Sequence, residues 1–138
     1  MRDGKEIVRG IFEDVINKGN LDAADELMAE DFLDHGPMGD VPGRDGLKAV
    51  VERYRAAVSD LHCEVEHLIV EGDTAGWVVR TTGTHTGDQL GFPATGKSFE
   101  TVTANIGRFA DGRATEHWSE QGMLSMLGQL GVLPPMGG

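Results

Sequence analysis

An α+β fold is predicted, with helices laid on one side of a curved antiparallel sheet. Three observations carry this expectation. Apolar residues recur at helical spacing through the first 58 positions, the pattern changes to alternation from residue 61 onward, and the alternating stretches are separated by tight glycine turns. A helix crossing a strongly bent sheet makes a cone, and the inside of a cone is a natural pocket.

The helices come first. Lys5–Asn17 reads as an amphipathic helix, because Ile7, Ile11, Val15 and Ile16 share one stripe that Val8 and Phe12 widen, and Gly19 ends it. A second helix begins at Asn20, a candidate cap, with Leu21, Ala24, Leu27 and Met28 on its apolar side. Phe32 and Leu33 fall in a short extended piece, and His35–Gly43, HGPMGDVPG, reads as a turn-rich loop. A third helix runs from Arg44 or Asp45 to Val58, with Leu47, Val50, Val51, Tyr54, Ala57 and Val58 buried.

The strands follow. Residues 61–71 alternate, which places Cys63, Val65, His67 and Ile69 on one face. Gly72-Asp73 makes a turn into a strand from Ala75 to His85; Phe99–Phe109 is the next strand, Asp111-Gly112 a hairpin turn, and Ala114–Gln121 the last strand. Met123, Leu124, Met126, Leu127 and Leu130 mark a short C-terminal helix ending at Gly131, and 134–138 read as a frayed tail.

The 138 residues make one domain, 1–138, long enough to hold a core without disulfide or metal staples. The single cysteine, Cys63, weakly favours a reducing compartment. A formal net charge of −11 disfavours phosphate backbones, and therefore nucleic acid. With no apolar run long enough to span a bilayer and no signal-peptide core in MRDGKEIVRG, a cytoplasmic protein without a membrane partner is expected. The five histidines are scattered and none pairs with Glu at zinc-helix spacing, so no metal site is expected. ATGKS at 94–98 lacks the glycine spacing and following helix of a phosphate loop, which leaves Lys97 a solvated residue.

From Gly83 to Pro134 the chain reads GTHTG, GFPATGKSFE, IGRFADGRATEHW and LGQLGVLP, and its first half carries DFLDHGPMG and GRDGLKAVVERY. This ordered set, spanning nearly the whole chain, resembles the SnoaL-like polyketide cyclase family of the NTF2-like superfamily. The resemblance implies an NTF2-like (cystatin-like) cone, usually a homodimer through the outer face of the sheet. Founding members close a ring of an aromatic polyketide ester by intramolecular aldol condensation without metal or cofactor, and related members hydroxylate polyketides. Fold alone does not fix the reaction.

Aldol chemistry needs a base for the proton alpha to a carbonyl and donors for the enolate oxygen. The resemblance places the family's aspartate base two residues after a histidine on the last strand. Here the histidine is His117 and the aspartate position is Ser119, while a second frequent acidic position is Gly122. Counting back from a two-residue turn at Asp111-Gly112, Ile106 faces His117 and Ala104 faces Ser119, so these four share the pocket face; Thr103, Asn105, Trp118 and Glu120 take the other.

His117 is therefore the leading candidate acid–base group, with His35 on a loop at the pocket mouth second and Ser119 a hydrogen-bonding partner. The substrate pocket is expected to include Ala104, Ile106, Phe32, Tyr54, Trp77, His85 and Met123, although His85 equally suits a bond to its own turn and the aromatic residues equally suit core. Arg80 is expected in a structural ion pair with an acid such as Glu116, and Glu120 would reach the pocket only through a bulge. A cofactor-independent enzyme for a small apolar, cyclic or polyketide-like ligand is expected; the alternatives are a non-catalytic binder of hydrophobic ligands and a dimeric interaction module.

Overall fold

The protein's structure, a computed structural model, describes residues 2–36, 39–120 and 122–132, with the side chain of Met123 excepted. The expected frayed tail, the end of the last strand at Gln121 and the tip of the HGPMGDVPG loop lie outside the described residues.

Asp3 opens the first helix, α1 (Gly4–Gly10), by accepting the Glu6 amide at 2.9 Å. The helix continues as π-helical turns over Ile11–Asn17. Its end is held by Arg55, which donates to the Ile16 and Asn17 carbonyls at 2.7 and 2.6 Å. Gly19, at φ 70°, then reverses the chain, and a side chain there would collide with the Arg55 guanidinium. The second helix is shorter than expected: a 3₁₀ turn, Leu21–Ala23, leads into a single α turn, α2 (Ala24–Leu27). Asn20 makes no side-chain capping bond, and Met28 is already extended.

The largest departure comes next. Strand β1 (Met28–Gly36) absorbs Phe32, Leu33 and His35, and β2 (Gly39–Pro42) pairs back on it, so the expected loop is the tip of a hairpin. Glycine and proline density had hidden a short edge strand. The third helix, α3 (Arg44–Ala57), falls where expected.

Strands β3 (His62–Glu71), β4 (Thr74–Thr84), β5 (Ser98–Ala110) and β6 (Arg113–Glu120) form an antiparallel meander, and α4 (Met123–Gln129) closes the chain. The curved six-stranded sheet runs β2-β1-β6-β5-β4-β3. Its one parallel pair is β1 with β6, so the sheet is mixed rather than wholly antiparallel. Helices cover one face and bury Ile7 and Val8 of α1 and Val15 of its π-helical continuation against it.

Two bulges reset side-chain direction. In β3 the register shifts between Glu66 and Ile69, with His67 at φ 52°. Leu68 and Val70 therefore pack inward while Ile69 is 71 % exposed, which corrects the expected Cys63–Val65–His67–Ile69 face. In the β5–β6 hairpin the turn is at Asp111-Gly112 as expected, with φ 53° and 76°. However, Phe109 pairs with Ala114 and Arg108 with Glu116, so Thr115 is an extra residue. Every rung beyond it slips by one. No described helix is long and apolar enough to cross a membrane.

Candidate functional site

Between the helices and the inner sheet face lies a cavity of about 170 Å³. Its helix side is apolar: Ile11, Phe12 and Ile16 from the π-helical continuation of α1, and Leu47, Val51 and Tyr54 from α3. Phe32 from β1, Trp77 from β4 and Met126 from α4 add apolar surface. Tyr54 donates its hydroxyl to Met126 Sδ at 3.4 Å, and burial pushes its pKa up to about 12, so it remains a neutral phenol. Cys63 also lines the cavity; burial pushes its thiol pKa up, partly offset by a 3.4 Å contact with Thr81, so it is no ready thiolate.

The polar side comes from period-two geometry on β5, which turns Thr101, Thr103, Asn105 and Gly107 inward. Gly107 faces His117 across the β5–β6 ladder, and Asp34 faces His117 across the parallel β1–β6 ladder. The side chains converge accordingly. His117 Nδ1 lies 2.6 Å from Asp34 Oδ1, and Nε2 lies 2.9 Å from Asn105 Oδ1. The Asn105 amide nitrogen donates towards the Thr103 carbonyl and hydroxyl at 3.3 and 3.4 Å, which keeps Oδ1 on the imidazole. Both ring nitrogens therefore meet acceptors; the imidazolium donates to both at once, a neutral ring to one of them. Asp34 Oδ2 has no hydrogen bond among the described residues. The Trp77 indole stacks on the His117 ring with centroids 5.6 Å apart and 21° between planes. Gly107 makes room for that indole, since a Cβ there would sit 2.9 Å from Trp77 Cη2.

Of the residues expected at the site, His117, Phe32, Tyr54 and Trp77 line the cavity. Ala104 and Ile106 do not. The Thr115 bulge turns both to the outer face, where Ile106 is 50 % exposed, and brings Thr103 and Asn105 inside in their place. Glu120, paired with Ala104, stays outside as well.

Ser119 pairs with Asn105 on the inner side but is not part of the cavity wall, and its buried Oγ finds no partner among the described residues. His35 also lies off the cavity wall, on the outer face against Trp118, at 5.1 Å between ring centroids. His85 is fully buried away from the cavity, where its Nδ1 accepts the Thr95 amide at 3.1 Å. Met123 opens α4, and its side chain lies outside the described residues. Arg80 is indeed ion-paired, but with Glu66 and Glu100 at 3.1 and 2.9 Å, because Glu116 sits two strands away.

Two partners of His117 were missed: the strand count put Asn105 on the other face, and only the parallel β1–β6 pairing carries Asp34 to the imidazole. Among the described residues no three His, Cys, Asp or Glu gather so as to hold a metal ion.

The family profile for SnoaL-like polyketide cyclases matches residues 6–130. Among solved structures, IdmH from Streptomyces antibioticus, assigned as a polyketide cyclase, is 33% identical, with a TM-score of 0.80 over 92% of this chain and 97% of that one. TsrD from Streptomyces laurentii is 28% identical, with a TM-score of 0.84 over 94% and 95%. A Catenulispora acidiphila protein with a ketosteroid isomerase-like fold, crystallised with trimethylamine, shares the fold at 20% identity and a TM-score of 0.78 over 94% and 98%. Among curated protein sequences none matches the chain significantly.

Proposed function

The chain belongs to the SnoaL-like polyketide cyclase family, and from that premise we propose that it is a cofactor-independent acid–base enzyme acting on a small, cyclic or polyketide-like carbonyl compound. The carrying observation is the Asp34–His117 pair on the polar side of a cavity whose helix side is apolar. Asp34 Oδ2, which carries no hydrogen bond among the described residues, takes the proton from carbon alpha to a carbonyl. His117 donates from Nε2 to the oxygen that becomes the enolate, once that oxygen displaces the Asn105 carbonyl. The apolar wall removes water and packs the ring face, with Trp77 and Phe32 beside the reacting edge. The carbanion so formed then attacks a second carbonyl carbon of the same molecule; that C=O bond opens as the ring closes, and its oxygen takes the proton held by Asp34.

A cavity of about 170 Å³ is close to the volume that engineered apolar cavities need to hold one benzene-sized ring. The reacting portion is therefore one ring or a short branch, and any larger body extends through the mouth. A homodimer through the outer sheet face and a cytoplasmic setting fit the same reading; the exposed Val102 and Ile106 on that face support the former.

A non-catalytic binder on the same fold is the competing reading, favoured by one observation: both His117 nitrogens are already satisfied. Turnover and affinity together decide. Linear and partly cyclised aromatic polyketide esters, offered to the wild type, Asp34→Asn and His117→Ala, should be cyclised by the wild type alone while all three bind. Tight binding with no conversion in the wild type would establish the binder.

A further inference from the structure

We propose that His35 is a positioning residue: from the outer face of the sheet, its clamp on Glu116 sets the β1–β6 alignment that brings Asp34 to His117. The inference deepens the proposed function and rests on that reading for its consequence, though its geometry stands alone.

Strand β1 carries Asp34 followed by His35, and β6 carries Glu116 followed by His117. Consecutive strand residues point to opposite faces. The two strands run parallel: Asp34 shares its rung with His117, whereas His35 shares its rung with Trp118 and reaches diagonally to Glu116, the residue opposite Leu33. Inside, His117 Nδ1 lies 2.6 Å from Asp34 Oδ1; outside, His35 Nε2 lies 2.6 Å from Glu116 Oε2. The two pairs stand back to back through the sheet.

The backbone alone holds this region loosely. Pairing between β1 and β6 is irregular from Met28 to Leu33, and regular rungs cover only Leu33 to His35 before β1 ends at Gly36. The outer clamp reinforces those rungs. His35 Nδ1 reaches Asp40 on β2 at 3.0 Å, its ring stacks on Trp118 of β6, and Glu116 Oε1 lies 3.5 Å from Arg108 Nη1 on β5. Arg108 in turn covers the Trp118 ring at 5.4 Å. One imidazole thus ties β2, β1 and β6 together.

This arrangement makes the clamp depend on protonation. The groups facing His35 are Glu116 and Asp40, with Arg108 behind Glu116. The Glu116 hydrogen bond, followed by that of Asp40, raises the His35 pKa. Only the imidazolium donates from both nitrogens, so deprotonation releases one of the two acids. A histidine with a raised folded pKa contributes stability that is complete below the ordinary value of about 6.5 and lost as pH climbs through the raised one. The clamp is therefore closed in mild acid and opens above that window.

The test reads His117 directly, without substrate. In the intact protein, imidazole proton and nitrogen resonances are recorded for the wild type, His35→Ala, His35→Gln and Glu116→Gln, with His117→Gln as the assignment reference. Arg80→Gln, which breaks a comparable outer-face ion cluster on β3–β5, is the control. In mild acid the His117 Nδ1–H should be downfield and protected in the wild type and in Arg80→Gln. In His35→Ala and Glu116→Gln it should move upfield and exchange about fivefold faster or more. His35→Gln, which keeps one donor, should fall between. The wild type alone should show the same change as pH rises through the His35 titration, whether or not the variants fold. A His117 signal indifferent to His35 and to that titration, or one moved equally by Arg80→Gln, would overturn the proposal. No turnover enters this measurement, so its failure leaves the proposed chemistry standing, and an inactive protein with the expected coupling would remove the chemistry alone.

Discussion

Asp34 and His117 occupy one rung of the parallel β1–β6 ladder, and their side chains meet at 2.6 Å with Asp34 almost fully buried. A single rung thus supplies the acid and the imidazole of the cavity wall from opposite ends of the chain. Asp34→Ala strips the charged partner from a half-buried imidazole and should cost about 1–3 kcal/mol. Asp34→Asn, which keeps an acceptor, should cost less. Urea unfolding of the two variants checks the order, and a more stable Asp34→Ala would contradict the bond.

Gly107 should tolerate no side chain. A Cβ there would lie 2.9 and 3.0 Å from Trp77 Cη2 and Cζ3, closer than Cβ contacts ordinarily come. Gly107→Ala should push the indole off His117 and cost about 1–3 kcal/mol through overpacking. In a Trp118→Phe background, Trp77 fluorescence should brighten as its stacked imidazole neighbour is lost, and ligand affinity should fall.

Ser119 should be dispensable. Its hydroxyl is buried without a partner among the described residues and does not reach the cavity wall. Ser119→Ala removes an unsatisfied polar group and should leave stability within about 1 kcal/mol and turnover unchanged. A loss of turnover greater than about tenfold would return Ser119 to the reaction.

The helical stripes, the meander and the Asp111-Gly112 turn were all legible in the sequence, because local periodicity and turn chemistry fix them. The inner wall was not. Thr115 carries no composition cue for a bulge, yet one extra residue exchanges Ala104 and Ile106 for Thr103 and Asn105. Asp34 was invisible as a partner for a different reason: parallel pairing between the first and last strands leaves no local pattern, and the glycines and proline around β2 read as loop. His117 could be placed from its strand alone, and the carboxylate it needed came from across the chain.

The central claim is that Asp34 takes a proton from carbon beside a carbonyl bound in the cavity. Deuterium incorporation measures this step without waiting for ring closure. A β-ketoester with one aromatic ring, incubated in heavy water, should exchange its alpha proton at least about a hundredfold faster with the wild type than with Asp34→Asn, both bound to saturation. Equal exchange in the two proteins, with binding intact, would contradict the assignment of Asp34 as the base.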